Sequence, residues 1–260
     1  MTSEIFCADS SEKLLELKSQ RGEFVDLVVT SPPYDTLRKY TEDKEYTKDV
    51  QSKIVNGLFE VMKEGSVCVW ICADRVEGGS ESGSCFVAAQ AFMERGFRLH
   101  DTMIWRKTNP MPRVKTKRYF DCWEYMFVFS KGTPKTFNPL MVDCKFGGKV
   151  YDSTCKNMDG ESGRTHKTFV LNSQRVKDNI WDIAVAQNKT EHPAVFPLQL
   201  AKDHIVSWSN EGDMVLDPFV GSGTTGIAAK LLNRNFVGIE ISDKYCQIAN
   251  KRIEETENGH

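Results

Sequence analysis

Two strand-like segments that each end in a rigid turn constrain the fold of this chain more than any other feature. Residues 25–30 form an apolar run that leads into Ser31-Pro32-Pro33-Tyr34, and residues 214–217 form another that leads into a glycine-containing loop. A strand, a glycine turn and a helix N-terminus are how open α/β sheets hold a nucleotide-like ligand. We therefore predict an α/β fold in which the two strand ends are the two halves of one site.

Strand and helix patterns alternate along most of the chain, which favours a mainly parallel sheet covered by helices. Strands are expected at residues 4–8, 25–30, 66–72, 214–217 and 235–241, and helices at 11–18, 49–63, 85–95, 193–209 and 224–233, with a last helix capped by Ser242. The runs 99–106 and 123–130 are expected to pair at one edge, and the glycine-rich stretch 78–83 to be a flexible loop.

The stretch 133–191 is different because it is polar, rich in Gly, Ser, Asn and Lys, and without sustained periodicity. A loop that long within a compact domain is usually functional. The predicted organisation is a catalytic half at 1–132, an insertion at 133–191 and a ligand-binding half at 192–260.

Composition excludes several classes of protein. The net charge is −2, so a nucleic-acid partner would need a local basic face. No apolar run approaches the ~20 residues that cross a bilayer, and no signal peptide is visible, which predicts a cytoplasmic protein without a membrane partner. The eight cysteines form no Cys-x-x-Cys pair, so we expect no metal site and reduced thiols.

The C-terminal loop has the properties of a nucleotide-binding turn. Gly221 and Gly223 allow close backbone approach or positive φ. No Lys follows the second glycine, so the loop is not a P-loop. Glu240 ends the next strand about 20 residues beyond the glycines, where an acid binds the ribose hydroxyls of an adenosine. The alternative is an ordinary βαβ unit with a glycine turn.

The Ser-Pro-Pro-Tyr turn is suited to a planar amino group. Its prolines lack amide donors, so the carbonyls of Ser31 and Pro32 and the Ser31 hydroxyl can accept hydrogen bonds. Tyr34 offers a π-face to a flat ring. Two fixed acceptors would draw an exocyclic nitrogen toward sp³ geometry and free its lone pair to attack a methyl group. The alternative is a turn with a packed tyrosine.

Together, residues 30–34 and 217–225 resemble the S-adenosylmethionine-dependent DNA amino-methyltransferases. The order of the motifs, catalytic first and cofactor last, is similar to that of the permuted beta group, and the resemblance covers nearly the whole chain. It implies a Rossmann-like fold with circularly permuted motifs, S-adenosylmethionine as cofactor and duplex DNA as partner. It assigns catalysis to Ser31, Pro32, Pro33 and Tyr34, and cofactor binding to Asp9, Asp217, Pro218, Phe219, Gly221, Ser222, Gly223, Thr224 and Glu240.

The resemblance also implies a DNA-binding face. It makes 133–191 the target-recognition region and places residues 105–110 and 123–132 around a pocket for an extruded base. Between Trp105 and Arg118 there are six cations and no acid, which is typical of a phosphate-tracking segment. The expected DNA contacts are Arg106, Lys107, Arg113, Lys115, Lys117 and Arg118.

The identity of Ser31 predicts which base is methylated. In this family the first residue of the catalytic motif is mostly Ser in cytosine-N4 enzymes and mostly Asp in adenine-N6 enzymes, so cytosine N4 is the expected target and adenine N6 the alternative. An enzyme acting on RNA or a protein glutamine is a further alternative, as is a cofactor-binding subunit without activity. A cognate restriction endonuclease is a possible partner, and the expected state is a monomer or homodimer.

Overall fold

A computed structural model of the chain describes residues 2–33, 46–110, 117–156, 164–185 and 196–256, and of residues 153–156 and 164–167 it describes the backbone alone. The strands of the central sheet are β1 (Ser3–Cys7), β2 (Val25–Thr30), β3 (Met62–Cys72), β6 (Arg98–Lys107), β7 (Trp123–Ser130), β12 (Ile180–Ile183), β13 (Met214–Asp217) and β14 (Asn235–Glu240). The helices are α1 (Ser10–Arg21), α2 (Lys48–Val61), α3 (Ser84–Arg95), α4 (Leu198–Trp208), α5 (Thr224–Leu231) and α6 (Asp243–Glu254). Short ribbons pair β4 (Val76–Glu77) with β5 (Ser80–Glu81), β8 (Met141–Asp143) with β11 (Gln174–Val176), and β9 (Val150–Lys156) with β10 (Arg164–Val170).

The central sheet has the order β1-β14-β13-β2-β3-β7-β6-β12. The first five strands of that order, from β1 through β14, β13 and β2 to β3, are parallel to one another. Strand β6 is parallel to β12, whereas β7 is antiparallel to both of its neighbours. The predicted α/β fold with a mainly parallel sheet is therefore confirmed. The predicted pairing of β6 with β7 is also confirmed, but β12 takes the edge position.

Strands from opposite ends of the chain are neighbours in this sheet. Val215 lies opposite Leu27 and Leu216 lies opposite Val28, so β13 is inserted directly beside β2. Because parallel strands end at the same edge of a sheet, the turn after Thr30 and the loop after Asp217 emerge side by side. Although the two motifs lie near opposite ends of the chain, their strands are therefore neighbours in one continuous sheet.

Apolar packing explains the position of the sheet and of its helices. Every residue of β2 is buried, and Ile54, Leu58 and Val61 form the buried stripe of α2. Each such side chain contributes about 1.5–3 kcal/mol relative to exposure. On α3, the Phe92 ring stacks on Phe129 of β7 with centroids 4.1 Å apart.

Several predicted boundaries differ from the structure. The helix expected at 49–63 ends at Val61, because Met62 already pairs with Val25 and begins β3. The expected loop 78–83 contains the turn and the second strand of the β4–β5 hairpin. The helix expected from 193 begins at Leu198, and residues 193–195 lie outside the described residues. The polar stretch 133–191 has five strands in its described part, β8 to β12, which the sequence pattern did not predict.

Residues 139–178 form a compact unit separate from the remainder of the chain. Within it, β9 and β10 pair over seven residues each, and β8 pairs with β11. The Phe146 ring has the Lys149 ammonium 4.9 Å from its centroid. The unit is thus built from strand pairing and local contacts.

The cysteines differ from the prediction at one pair. Cys7 at the end of β1 and Cys246 on α6 form a disulfide with their Cα atoms 6.0 Å apart. The expectation of reduced thiols is therefore wrong for these two residues, which lie 239 positions apart in the chain. Cys68, Cys72 and Cys85 are free and buried, as expected for small apolar side chains. Among the described residues, no helix combines the length and the apolar character needed to cross a bilayer.

Candidate active site

The two predicted halves of the site meet through a buried carboxylate. Asp217 Oδ1 accepts a hydrogen bond of 2.6 Å from Thr30 Oγ1, and Oδ2 lies 2.7 Å from the hydroxyl of Thr225. The backbone N–H of Phe219 also donates to Oδ1 at 2.9 Å. Asp217 is 1% exposed. Strand β2, the loop after β13 and the first turn of α5 are thereby held together at one point.

Burial governs the ionisation of this carboxylate. Desolvation raises the pKa of Asp217 to about 6, against the lowering effect of the hydrogen bonds from Thr30, Thr225 and Phe219. The negative charge of Glu240 raises this pKa further. Because its oxygens already accept three protein hydrogen bonds, Asp217 orients the two turns.

The glycine loop bends where the sequence predicted. Gly221 has φ of 53° and Gly223 has φ of 87°, a region that L side chains rarely adopt. A Cβ on Gly223 would also lie 3.1 Å from Cα of Ala249 on α6. Glycine is therefore required at Gly223 by conformation and by space.

Two buried hydroxyls follow the glycines. The Ser222 and Thr224 side-chain oxygens are buried and have no hydrogen-bond partner among the described residues. They flank Gly223, the N-cap of α5, where the helix dipole favours negative charge. Because buried polar groups are normally hydrogen-bonded, two such atoms fit a loop that receives polar groups of a ligand.

Glu240 closes the loop from the neighbouring strand. Its Oε2 accepts from the Gly221 N–H at 2.8 Å, and its Oε1 accepts from the Ser242 N–H at 3.0 Å. Burial raises the pKa of Glu240, and these backbone hydrogen bonds oppose the rise. Each carboxylate oxygen keeps capacity for a further donor, as a ribose-binding acid requires.

The helix after β1 contacts the same loop. Asp9 is the N-cap of α1, and its Oδ1 accepts from the backbone N–H and the hydroxyl of Ser11, at 2.9 and 2.6 Å. The next residue, Ser10, donates from its buried hydroxyl to the Pro218 carbonyl at 2.5 Å. Asp9 is therefore positioned beside the glycine loop and has a capping role of its own.

Residues Ser31, Pro32 and Pro33 follow β2 directly. Pro32 is buried, while Ser31 and Pro33 are partly buried; Tyr34 lies outside the described residues. Near this end of the sheet, the Phe219 ring has Trp70 and Tyr46 as edge-on neighbours at 5.9 and 5.6 Å. Aromatic packing thus supports the loop after β13 on the side that faces β2.

Most of the predicted DNA-binding cations that the structure describes are paired with acids. Arg106 forms a two-pronged ion pair with Asp182, Lys107 Nζ lies 2.6 Å from Glu124 Oε1, and Arg118 pairs with Glu81. Lys117 is exposed and forms no ion pair with the described residues. Arg113 and Lys115 lie outside the described residues.

Sequence reasoning missed the side chains that join the halves. Thr30 and Thr225 hold Asp217, although neither was a candidate. Their positions in the sequence could have identified them, since Thr30 precedes Ser31 and Thr225 follows Thr224 at the start of α5. A hydroxyl at such a place can satisfy a buried carboxylate from the adjacent strand or helix.

The mainly parallel sheet and the glycine loop are features of a Rossmann-like fold, and similarity to known proteins identifies that fold as a methyltransferase that uses S-adenosylmethionine. Residues 25–251 match the family described as DNA methylase, so the match includes both β2 and the glycine loop. The chain belongs to this family of DNA amino-methyltransferases.

Named relatives agree with this membership. The chain is 47% identical over 240 residues to the orphan methyltransferase M.BamHII of Bacillus amyloliquefaciens, with 88% of each chain covered. It is 28% identical over 260 residues to the DNA adenine methyltransferase YhdJ of Escherichia coli K12, covering 94% of this chain and 81% of that protein.

Solved structures share the fold. The crystal structure of the M1.HpyAVI–SAM complex has a TM-score of 0.63 and 26% identity, covering 96% of this chain and all of that one. The cytosine-N4-specific PvuII DNA methyltransferase has a TM-score of 0.69 at 21% identity, covering 97% of this chain and 86% of that one. At this identity the second likeness is one of fold.

Proposed function

We propose that this chain transfers the methyl group of S-adenosylmethionine to the N4 amino group of cytosine within a specific sequence of duplex DNA. The observation that carries the proposal is Ser31, which follows β2 directly while Thr30 is hydrogen-bonded to Asp217 of the cofactor loop. The substrate turn and the cofactor loop therefore share one rigid support.

The cofactor would be held by the residues around the glycine loop. Glu240 would accept the ribose hydroxyls, since its carboxylate is already oriented by two backbone donors. Ser222 and Thr224 would hydrogen-bond polar groups of the ligand, because their buried hydroxyls have no partner among the described residues. The backbone at Pro218, Phe219, Gly221 and Gly223 would line the pocket, and Asp9 would face the adenine. Asp217 would act through Thr30 and the loop.

The amine would be prepared by the proline turn. Bound S-adenosylmethionine supplies an electrophilic methyl group on a sulfonium. Ser31 Oγ and the Pro32 carbonyl would accept hydrogen bonds from the two N–H groups of cytosine N4. Pro33 would fix the turn, and Tyr34 would stack on the base. The nitrogen forms the new bond to carbon as the C–S bond breaks; sulfur keeps that electron pair, and nitrogen releases a proton to solvent.

DNA recognition would be divided along the chain as the sequence suggests, with catalytic and cofactor halves at 1–132 and 192–260. The 133–191 region, which contains the compact unit 139–178, would read the sequence. Lys117 would contact phosphate, with Arg113 and Lys115. Arg106 and Lys107 would take part by exchanging their acidic partners, and Arg118, held by Glu81, would position Lys117 beside the DNA. The name of the 47% identical relative, an orphan methyltransferase, supports action without a cognate endonuclease.

Adenine N6 is the second candidate, and the 28% identical relative named as an adenine methyltransferase favours it. The deciding experiment expresses the chain in a host lacking DNA methylation, digests the genomic DNA to nucleosides and identifies the methylated base by mass spectrometry. N4-methylcytosine is expected, and Tyr34→Ala, which removes the stacking ring, should yield little. N6-methyladenine in its place would refute the cytosine assignment. Sequencing of the modified positions then gives the recognition site.

A further inference from the structure

Two adjacent aromatic side chains project from the molecule just before β7. Tyr119 is 99% exposed and Phe120 is 56% exposed. Single exposed apolar residues are common, but adjacent large apolar side chains that lack packing are more often found at interaction surfaces. Neither residue belongs to the site described above.

Strand register locates this pair relative to the substrate turn. Thr30 pairs with Trp70, and Trp70 pairs with Phe127. At roughly 3.3 Å per residue, Trp123 lies about 13 Å beyond the level of Thr30. The Lys107 N–H donates to the Cys122 carbonyl at 2.7 Å, so the segment carrying Tyr119 and Phe120 continues outward from the edge that bears Ser31.

The base of this projection is anchored. Arg118 donates to the Gly79 carbonyl at 3.3 Å and forms an ion pair with Glu81, which ties the segment to the β4–β5 hairpin. The adjacent Lys117 is exposed and supplies a positive charge that suits a phosphate backbone. An anchored segment that presents the positive charge of Lys117 beside two exposed aromatic rings suits DNA that approaches this edge of the sheet.

We propose that Tyr119, with Phe120 beside it, inserts into the duplex at the target site and stacks in the space left by the extruded base. The target amino group is inaccessible within the base stack, so extrusion must precede methyl transfer. Apolar wedges stabilise such unstacked DNA in other protein–DNA complexes. The inference rests on the proposed DNA reaction but is independent of which base is methylated.

The test measures single-turnover methyl transfer on two duplexes containing the mapped recognition site. One has a normal pair at the target base, and the other has a mismatch there, so that the base is already partly unstacked. Tyr119→Ala should be slower by about tenfold or more on the paired duplex. It should approach the wild-type rate on the mismatched duplex, and Tyr119→Trp should remain active on both because it retains a stacking ring.

Leu15→Ala is the control, because Leu15 is an apolar side chain of α1 that is 58% exposed, much as Phe120 is; its rate should equal that of the wild type. If Tyr119→Ala slows methyl transfer equally on both duplexes, or on neither, the proposal is overturned. It is also overturned if the one effect of the substitution is a change in the molecular mass of the protein in solution. Adenine as the methylated base would refute the cytosine assignment while leaving this comparison intact.

Discussion

Thr30 and Asp217 are 187 residues apart in the chain, yet the Thr30 hydroxyl donates a hydrogen bond of 2.6 Å to the Asp217 carboxylate. Thr30 is fully buried, and Asp217 nearly so. Strand β2 leads into Ser31-Pro32-Pro33 and its neighbour β13 leads into the glycine loop, so this contact fixes the relative position of the two strand ends. Because the contact depends on adjacency in the sheet, the order of the motifs along the chain does not affect it.

Thr30→Val should destabilise the protein and weaken cofactor binding. Valine has the same shape but leaves the buried carboxylate with one donor fewer, which costs about 1–3 kcal/mol. Urea unfolding would give the stability, and calorimetric titration would give the affinity for S-adenosylmethionine. Thr102→Val, at an exposed position of β6, is the control and should change neither. Unchanged cofactor affinity in Thr30→Val would show that Asp217 does not depend on this donor.

The raised pKa of Asp217 gives its contribution to stability a defined sign. Its pKa is about 6 in the folded protein and 3.8 without burial, so between these values the folded state binds more protons than the unfolded state. Stability from this group therefore falls as the pH rises from about 4 to about 6. Asp26, whose pKa is lowered by its hydrogen bonds to Lys63, Met214 and Lys135 in spite of its burial, contributes in the opposite direction.

The measurement must separate the pH dependence that Asp217 contributes from that of Asp26 and the other carboxylates. The free energy of unfolding of the wild type is compared with that of Asp217→Asn at several pH values. Relative to the variant, the wild type should lose stability across this window and then level off. A difference that does not vary with pH would contradict the raised pKa.

Hydrophobic patterning and turn chemistry made the fold predictable. The run 25–30 is buried at every position, and the glycines of the cofactor loop adopt the positive φ that was expected. Strands β8 and β11, within 133–191, could not be predicted, because they have three residues each and are largely exposed. Short exposed strands depend on pairing partners, which local sequence does not reveal.

The candidate site was predictable in its backbone and less so in its side chains. Glycine permits positive φ at single positions, so the bends at Gly221 and Gly223 could be located from sequence alone. Ion pairs depend on distant residues, so the partners of Arg106 and Lys107 could not be inferred. The bond between Cys7 and Cys246 spans 239 residues and depends on the position of α6 beside β1.

Gly223→Ala should destabilise the protein and impair the cofactor loop. Alanine at φ of 87° costs about 1–2 kcal/mol, and its Cβ would meet Ala249 at 3.1 Å. Gly78→Ala is a matched control, because Gly78 has φ of 58° but nothing within 4 Å of an added Cβ. Thermal unfolding should show the larger loss for Gly223→Ala, and cofactor binding should weaken in that variant alone. Equal losses would mean that conformation, and not space, limits this position.

Lys117→Gln should weaken DNA binding through loss of one phosphate contact. Lys117 is exposed and has no ion pair with the described residues, so it can displace a counterion from DNA without breaking a protein contact. The plot of log affinity against log salt concentration should become shallower by about 1, for cognate and unrelated duplexes alike. Lys251→Gln, whose native side chain on α6 is 75% exposed, is the control and should retain the wild-type slope. An unchanged slope in Lys117→Gln would place the phosphate-binding face elsewhere, whereas a loss confined to the cognate duplex would indicate a contact with a base.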